Sequence, residues 1–151
     1  MDFWTTLEGL AAVEALKISF IAYPLVNGLH VIGIGALVTS VILMDLRILG
    51  AFSALEAASF VTLMRRVALS GFAMAVLTGL PMFAIQASDY VENPAFLTKM
   101  GMLLAAGLNV LIFHKVAGNP AAPNVSARIV AATSIVLWLG VLFAGRFIGF
   151  V

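Results

Sequence analysis

Two histidines, His30 and His114, lie inside apolar runs of this 151-residue chain, whereas almost every other hydrophilic side chain is confined to the short connections. An ionisable group is costly to hold in hydrocarbon, so it normally faces the interior of a helical bundle and binds something there. A neutral imidazole at His30 has the donor chemistry to ligate haem iron. Gly33 and Gly35 leave space beside it, and Met74 is a candidate second ligand, because imidazole and thioether both serve as axial ligands. Arg146 and Lys99 are the cations suited to a haem propionate, and Asn109 is a polar neighbour for His30. The competing reading of His30 is a ring satisfied by Asn27, Asn109 or a backbone carbonyl, which joins helices without any guest. His114, followed by Lys115, reads either as a further ligand or as a boundary histidine that meets headgroups or the Asp45 carboxylate. Asp45, two residues from Arg47, reads as half of a structural ion pair or as an N-terminal flank to the cytoplasmic loop. Thioethers favour Cu(I), but Met64, Met74, Met82, Met100 and Met102 form no tight cluster, so most of them read as flexible apolar filling.

The elements that must position these groups are long apolar helices. Hydrophobic residues make up 63% of the chain and charged residues 10%, against about a quarter charged in an ordinary soluble domain. A hydrocarbon layer of roughly 30 Å needs about 20 helical residues per crossing. Four stretches qualify, residues 18–44, 67–86, 96–116 and 127–150, and they predict an all-α integral membrane four-helix bundle in one domain. No basic leader and cleavage site precede the first span, which is therefore expected to be retained. Arg47, Arg65, Arg66, Lys115 and Arg128 fall in the first and third connections, while Asp2, Glu8, Glu14, Asp89 and Glu92 fall before span one or between spans two and three. Basic connections stay in the cytoplasm, so both termini are expected on the outer side. The formal charge of +1 does not point to nucleic acid, and the absence of cysteine excludes disulfides, thiolate metal sites and covalently attached haem.

Local signals refine this plan. Thr5 with Glu8 forms a capping-box pattern and, with Phe3 and Trp4, predicts a short helix on the outer membrane surface. Pro24 predicts a bend just before Asn27 and His30. Ser53 with Glu56 repeats the capping box and predicts a helix running through Arg65 and Arg66 into span two. Asn93 and Pro94 are suited to start span three, and Gly118, Asn119 and Pro120 to end it. Small residues at four-residue spacing, Gly71, Ala75 and Gly79, then Gly101 and Ala105, then Gly145 and Gly149, predict close helix contacts within the bundle or between copies. At about 1.5 Å per residue, His30, Met74, Asn109 and Trp138 share one layer, and His114, Lys115, Asp45 and Arg47 a second, about 10 Å or more away. There is no P-loop, dinucleotide fingerprint, nucleophile elbow or intramembrane carboxylate pair, so no catalytic activity is assigned.

The segments Tyr23-Pro24, Asn27-Gly28-Leu29-His30, Gly33 and Asp45-Leu46-Arg47-Ile48-Leu49-Gly50 resemble the first span of a family of small bacterial four-span membrane proteins of unknown function. Gly71, Gly79, Phe96, Lys99, Asn109 and His114 continue the resemblance, which covers about residues 20–116 and fades in span four. That family is loosely similar to copper-resistance D-type and cytochrome-b-like membrane proteins. The resemblance implies that His30 and His114 are the family's two histidine positions and that the membrane is a bacterial inner membrane; it implies no activity.

The expected function is a non-catalytic, haem b-binding electron-transfer subunit within the lipid bilayer, as a homo-oligomer or in a larger membrane complex. In it His30 ligates iron, Met74 or His114 lies on the other side, and Arg146 or Lys99 contacts propionates. The alternatives are a small transporter or channel for copper, protons or a small anion, and a structural subunit whose histidines only join helices.

Overall fold

The computed structural model describes residues 3–116 and 123–150, and the described chain is almost entirely helical. Four helices are long and apolar enough to cross a membrane: α3 (Ala22–Leu49), α4 (Ala57–Ala84), α6 (Pro94–Val116) and α7 (Val125–Phe147). Three short helices, α1 (Phe3–Glu8), α2 (Ala11–Ile18) and α5 (Ala87–Glu92), gather at one end of the bundle. Because Phe83, Tyr90 and Phe96 stack there, we call it the aromatic end. The opposite end carries Arg47, Arg65, Arg66, Lys115 and Arg128 and is the basic end.

Chain signals account for the helix limits, with several shifts from the expected ones. Span one begins at Ala22 rather than residue 18, because the Ser19 hydroxyl accepts from the Ala22 amide and opens a new helix. Pro24 therefore sits in the first turn, where its missing N–H removes no helical bond, and the expected bend is not required. At the other end α3 runs on past residue 44 to Leu49. There Gly50 takes the left-handed conformation (φ +111°), and the amides of Gly50 and Ala51 close onto the Leu46 carbonyl. Phe52 also has positive φ, so Ser53 lies within this turn and cannot cap the next helix. The Glu56 carboxylate caps it instead, accepting from the Ala58 and Ser59 amides at 2.8 and 2.6 Å. Asn93 caps α6 as expected, taking the Ala95 and Phe96 amides, and Asn124 caps α7 through the Ala127 amide. The expected stop at Gly118, Asn119 and Pro120 lies outside the described residues. The single surface helix expected near the start is two helices broken at Gly9 and Leu10; Thr5 is inside α1, and Glu8 reaches across to α5 rather than closing a capping box.

The four long helices pack in the order α4, α3, α7, α6, whereas α4 and α6 are not packed along one another. Between α3 and α4 the contact is backbone to backbone. A Cβ placed on Gly71 would lie 2.7 Å from both the Gly33 carbonyl oxygen and the Leu37 nitrogen, and one on Gly33 would lie 2.9 Å from the Ala75 nitrogen. Small residues allow such an approach, and in lipid this close van der Waals contact, not exclusion of water, holds helices together. Gly33 therefore serves α3–α4 packing rather than opening space beside His30. Gly140 likewise receives the Met102 side chain of α6, whereas Gly101, Gly149 and Gly35 face no other group within 4 Å among the described residues. Leu37, Val38, Ala68, Ala106, Trp138 and Val141 form the central core.

Candidate functional site

His30 points from α3 onto α4. Its ring occupies the space above Gly79, where a Cβ would stand 2.9 Å from His30 Cε1. His30 Nδ1 and Thr78 Oγ1 are 3.0 Å apart. The Thr78 hydroxyl has one proton, and the Met74 carbonyl, one turn back and 2.6 Å away, takes it. Thr78 can then only accept from the histidine, so Nδ1 carries the hydrogen and donates. A neutral ring in this tautomer has its lone pair on Nε2. The Ala75 carbonyl is also within hydrogen-bond reach of the ring and, like Thr78, can only accept from it. Nε2 is thus prepared for a metal ion or a hydrogen-bond donor. The same pattern, in which the second ring nitrogen is fixed by a hydrogen bond to oxygen, orients metal-binding histidines generally.

Lys99 of α6 lies within electrostatic range of His30, and its aliphatic stem rests on Gly145 of α7, 3.6 Å from where a Cβ would be. Imidazole and ammonium are therefore presented from two helices that lie on opposite sides of α7. The aromatic stack closes this end of the bundle: Phe83 of α4 lies 5.4 Å from Phe96 of α6, Tyr90 stacks on both, and Trp4 of α1 meets Phe83 edge-on. Desolvation in this cluster raises the Tyr90 phenol above its ordinary range, with the nearby Tyr23 phenol adding to the shift. Glu8 fastens the short helices over the stack by accepting from both the amide and the hydroxyl of Ser88, at 2.8 and 2.6 Å, and these bonds hold its carboxyl below the usual range.

The remaining candidates lie elsewhere. Met74 is one turn below Thr78 on the same face of α4, with its Cβ against the Gly33 position, and it joins the His30 network through its carbonyl. Asn109 is buried nearer the basic end, where its amide donates to the Val130 carbonyl of α7 at 3.1 Å; it does not share a layer with His30. His114 is exposed in the last turn of α6, and its Nδ1 lies 2.8 Å from the Val110 carbonyl of its own helix. Counted along their helices, the two histidines are on the order of 15–20 Å apart in height, so they do not face one iron in a single chain. Arg146 is exposed, with its guanidinium carbon 4.6 Å from the Phe150 ring centre. Among the described residues no group of three or more His, Cys, Asp or Glu side chains gathers as a metal site.

Asp45 and Arg47 do not form the expected ion pair, because residues two apart project from different faces of a helix. Arg47 gives its guanidinium to the Leu55 carbonyl at 3.0 Å, while Asp45 is buried beside Ser134 of α7. Two contributors were hidden from sequence reasoning, Thr78 and Ser134. Gly79 carried a signal, its place in the Gly71-Ala75-Gly79 series, but that signal concerned helix packing.

Residues 9–151 match the profile of the family of unknown function DUF6644, and the chain belongs to that family. Searches of curated proteins and of solved structures give no match.

Proposed function

We propose that this member of DUF6644 is a haem b-binding, electron-carrying membrane subunit in which His30 Nε2 would hold the iron and Lys99 would pair with a propionate. The observation that carries this reading is the Thr78 relay, which fixes the imidazole with its lone pair on Nε2. A bound haem b would supply a one-electron couple, with its potential tuned by the axial ligand and the surrounding hydrogen bonds. Thr78 acts as a positioning residue: it holds the ring plane and, through Nδ1–H, raises the basicity of the ligating nitrogen. Lys99 compensates negative charge in a region where an unpaired ion is costly. Phe83, Tyr90 and Phe96 keep water from that end of the bundle. Met74, one turn deeper on α4, is the candidate that would offer a thioether to the same group.

The purified protein, expressed with ample haem supply, is expected to show a Soret band that His30→Ala removes and His114→Ala leaves in place. Thr78→Val is expected to retain pigment but to shift the reduction potential, because it leaves the ring without its oriented acceptor. A colourless wild-type preparation under haem-replete conditions overturns the reading, and so does a band that depends on His114 and not on His30.

A further inference from the structure

Apart from the His30 site, two buried polar atoms at the basic end have no hydrogen-bond partner among the described residues, Arg47 Nε and a carboxylate oxygen of Asp45, and only the second belongs to an acid. Asp45, 7% exposed, sits one turn before the end of α3. Ser134 of α7, 5% exposed, is within side-chain hydrogen-bond reach and supplies a single donor. The other carboxylate oxygen, Oδ2, is buried and has no hydrogen-bond partner among the described residues. Nor do the neighbouring cations answer it. Arg47 is turned to the Leu55 carbonyl, and Arg65 and Arg66 of α4, His114 and Lys115 of α6 and Arg128 of α7 are exposed. The Asn109 amide of α6, also buried towards this end, is committed to the Val130 carbonyl. A carboxylate removed from water without a counter-charge is strongly disfavoured, and such a group inside a membrane bundle marks an ion or proton site by default.

We propose that Asp45, assisted by Ser134, forms a second site near the basic end that takes up a small monovalent cation, a proton or a sodium ion, on the orphan Oδ2. The charge it accepts replaces the ion partner that the bundle does not provide. The serine hydroxyl lies within hydrogen-bond reach of the carboxyl, and Oδ2 is the oxygen without a partner among the described residues, so it is the atom left to bind. Nothing in this argument requires haem or His30, so it stands or falls separately from the electron-transfer reading.

Dicyclohexylcarbodiimide, an apolar reagent, tests it by adding to a buried carboxyl only when that carboxyl is protonated. Wild-type protein in proteoliposomes is expected to carry the adduct on Asp45, located by peptide mass spectrometry, with a yield that falls as pH rises. If sodium is the physiological ion, sodium chloride at fixed pH protects while choline chloride does not; if the proton is, neither salt protects and the pH dependence remains. Ser134→Ala is expected to keep the adduct and change its pH profile. The adduct is lost in Asp45→Asn, but the wild-type profile alone decides the matter should that variant fail to fold. Absence of an Asp45 adduct, or an adduct whose yield responds to neither pH nor sodium, overturns the proposal.

Discussion

At the scale of single residues, two glycines, Gly71 of α4 and Gly101 of α6, have different surroundings, and these predict different costs. A methyl group on Gly71 would meet the backbone of α3 at 2.7 Å, which cannot rotate out of the way. Gly71→Ala must therefore push α3 and α4 apart, and a loss of about 1–3 kcal/mol is expected in detergent-unfolding titrations, as for other overpacked sites. Gly101→Ala in α6 faces open space and is expected to be neutral or stabilising by up to about 1 kcal/mol, the usual helix preference for alanine. Equal effects of the two substitutions would contradict the backbone contact. The Gly71, Ala75 and Gly79 series was legible in the sequence as a packing signal, and His30 as an intramembrane polar group. That the two meet was not legible, because helix order and rotation decide which faces touch. Thr78, which sets the histidine tautomer, is one of several threonines in apolar runs and carries no local mark. Asp45 was misread for a related reason: nearness to Arg47 in sequence suggested a pair that helix geometry forbids.

At the scale of elements, the four spans could be read because each needs only length and apolarity, although α4 begins at Ala57, well ahead of the apolar run expected from residue 67, where the polar Ser53–Glu56 signal and not apolarity marks the start. Their ends needed local chemistry, and there the reading was mixed. Asn93 was recognisable as a cap, but Glu56 was assigned to the wrong end of a capping box because the left-handed turn at Gly50 and Phe52 had no distinctive pattern beyond the glycine. The α1–α5 junction has a titratable fastening. In the docked form Glu8 lies below its usual carboxyl value of 4.5, chiefly because of the Ser88 side-chain hydrogen bond. For an acid depressed in the docked form, the fastening is complete above the free-state value and is lost as pH falls through the docked-state value. Acidification through the carboxylate range should therefore release α1. Trp4 fluorescence reports it, since Trp4 packs 5.8 Å from Phe83, and a Trp138→Phe background leaves Trp4 as the sole indole. Glu8→Gln, which cannot titrate, is expected to abolish the acid transition. A transition of unchanged midpoint in that variant would place the switch elsewhere.

At the scale of the whole molecule, the bundle is a row of four helices whose outer members, α4 and α6, are joined at the aromatic end by Phe83 and Phe96. The two polar sites occupy opposite ends of one helix, His30 in the first third of α3 and Asp45 in its last turns, on the order of 20 Å apart along the axis. Which side of the membrane each site addresses follows from the distribution of arginine and lysine. The connections and flanks at the basic end carry Arg47, Arg65, Arg66, Lys115 and Arg128, against Lys17, Lys99 and Arg146 at the aromatic end. Such a bias is expected to hold the basic end in the cytoplasm, whatever the acids do. His30 then lies towards the outer leaflet and Asp45 towards the cytoplasm. The chain has no cysteine, so single cysteines give a clean test. Asp89→Cys and Ser53→Cys replace exposed residues at the aromatic and basic ends. In right-side-out spheroplasts an impermeant maleimide should label the first directly and the second only after the membrane is opened. The reverse pattern would invert the molecule: Asp45 would then take its cation from outside the cell, and an electron partner of the His30 site would have to approach from the cytoplasm.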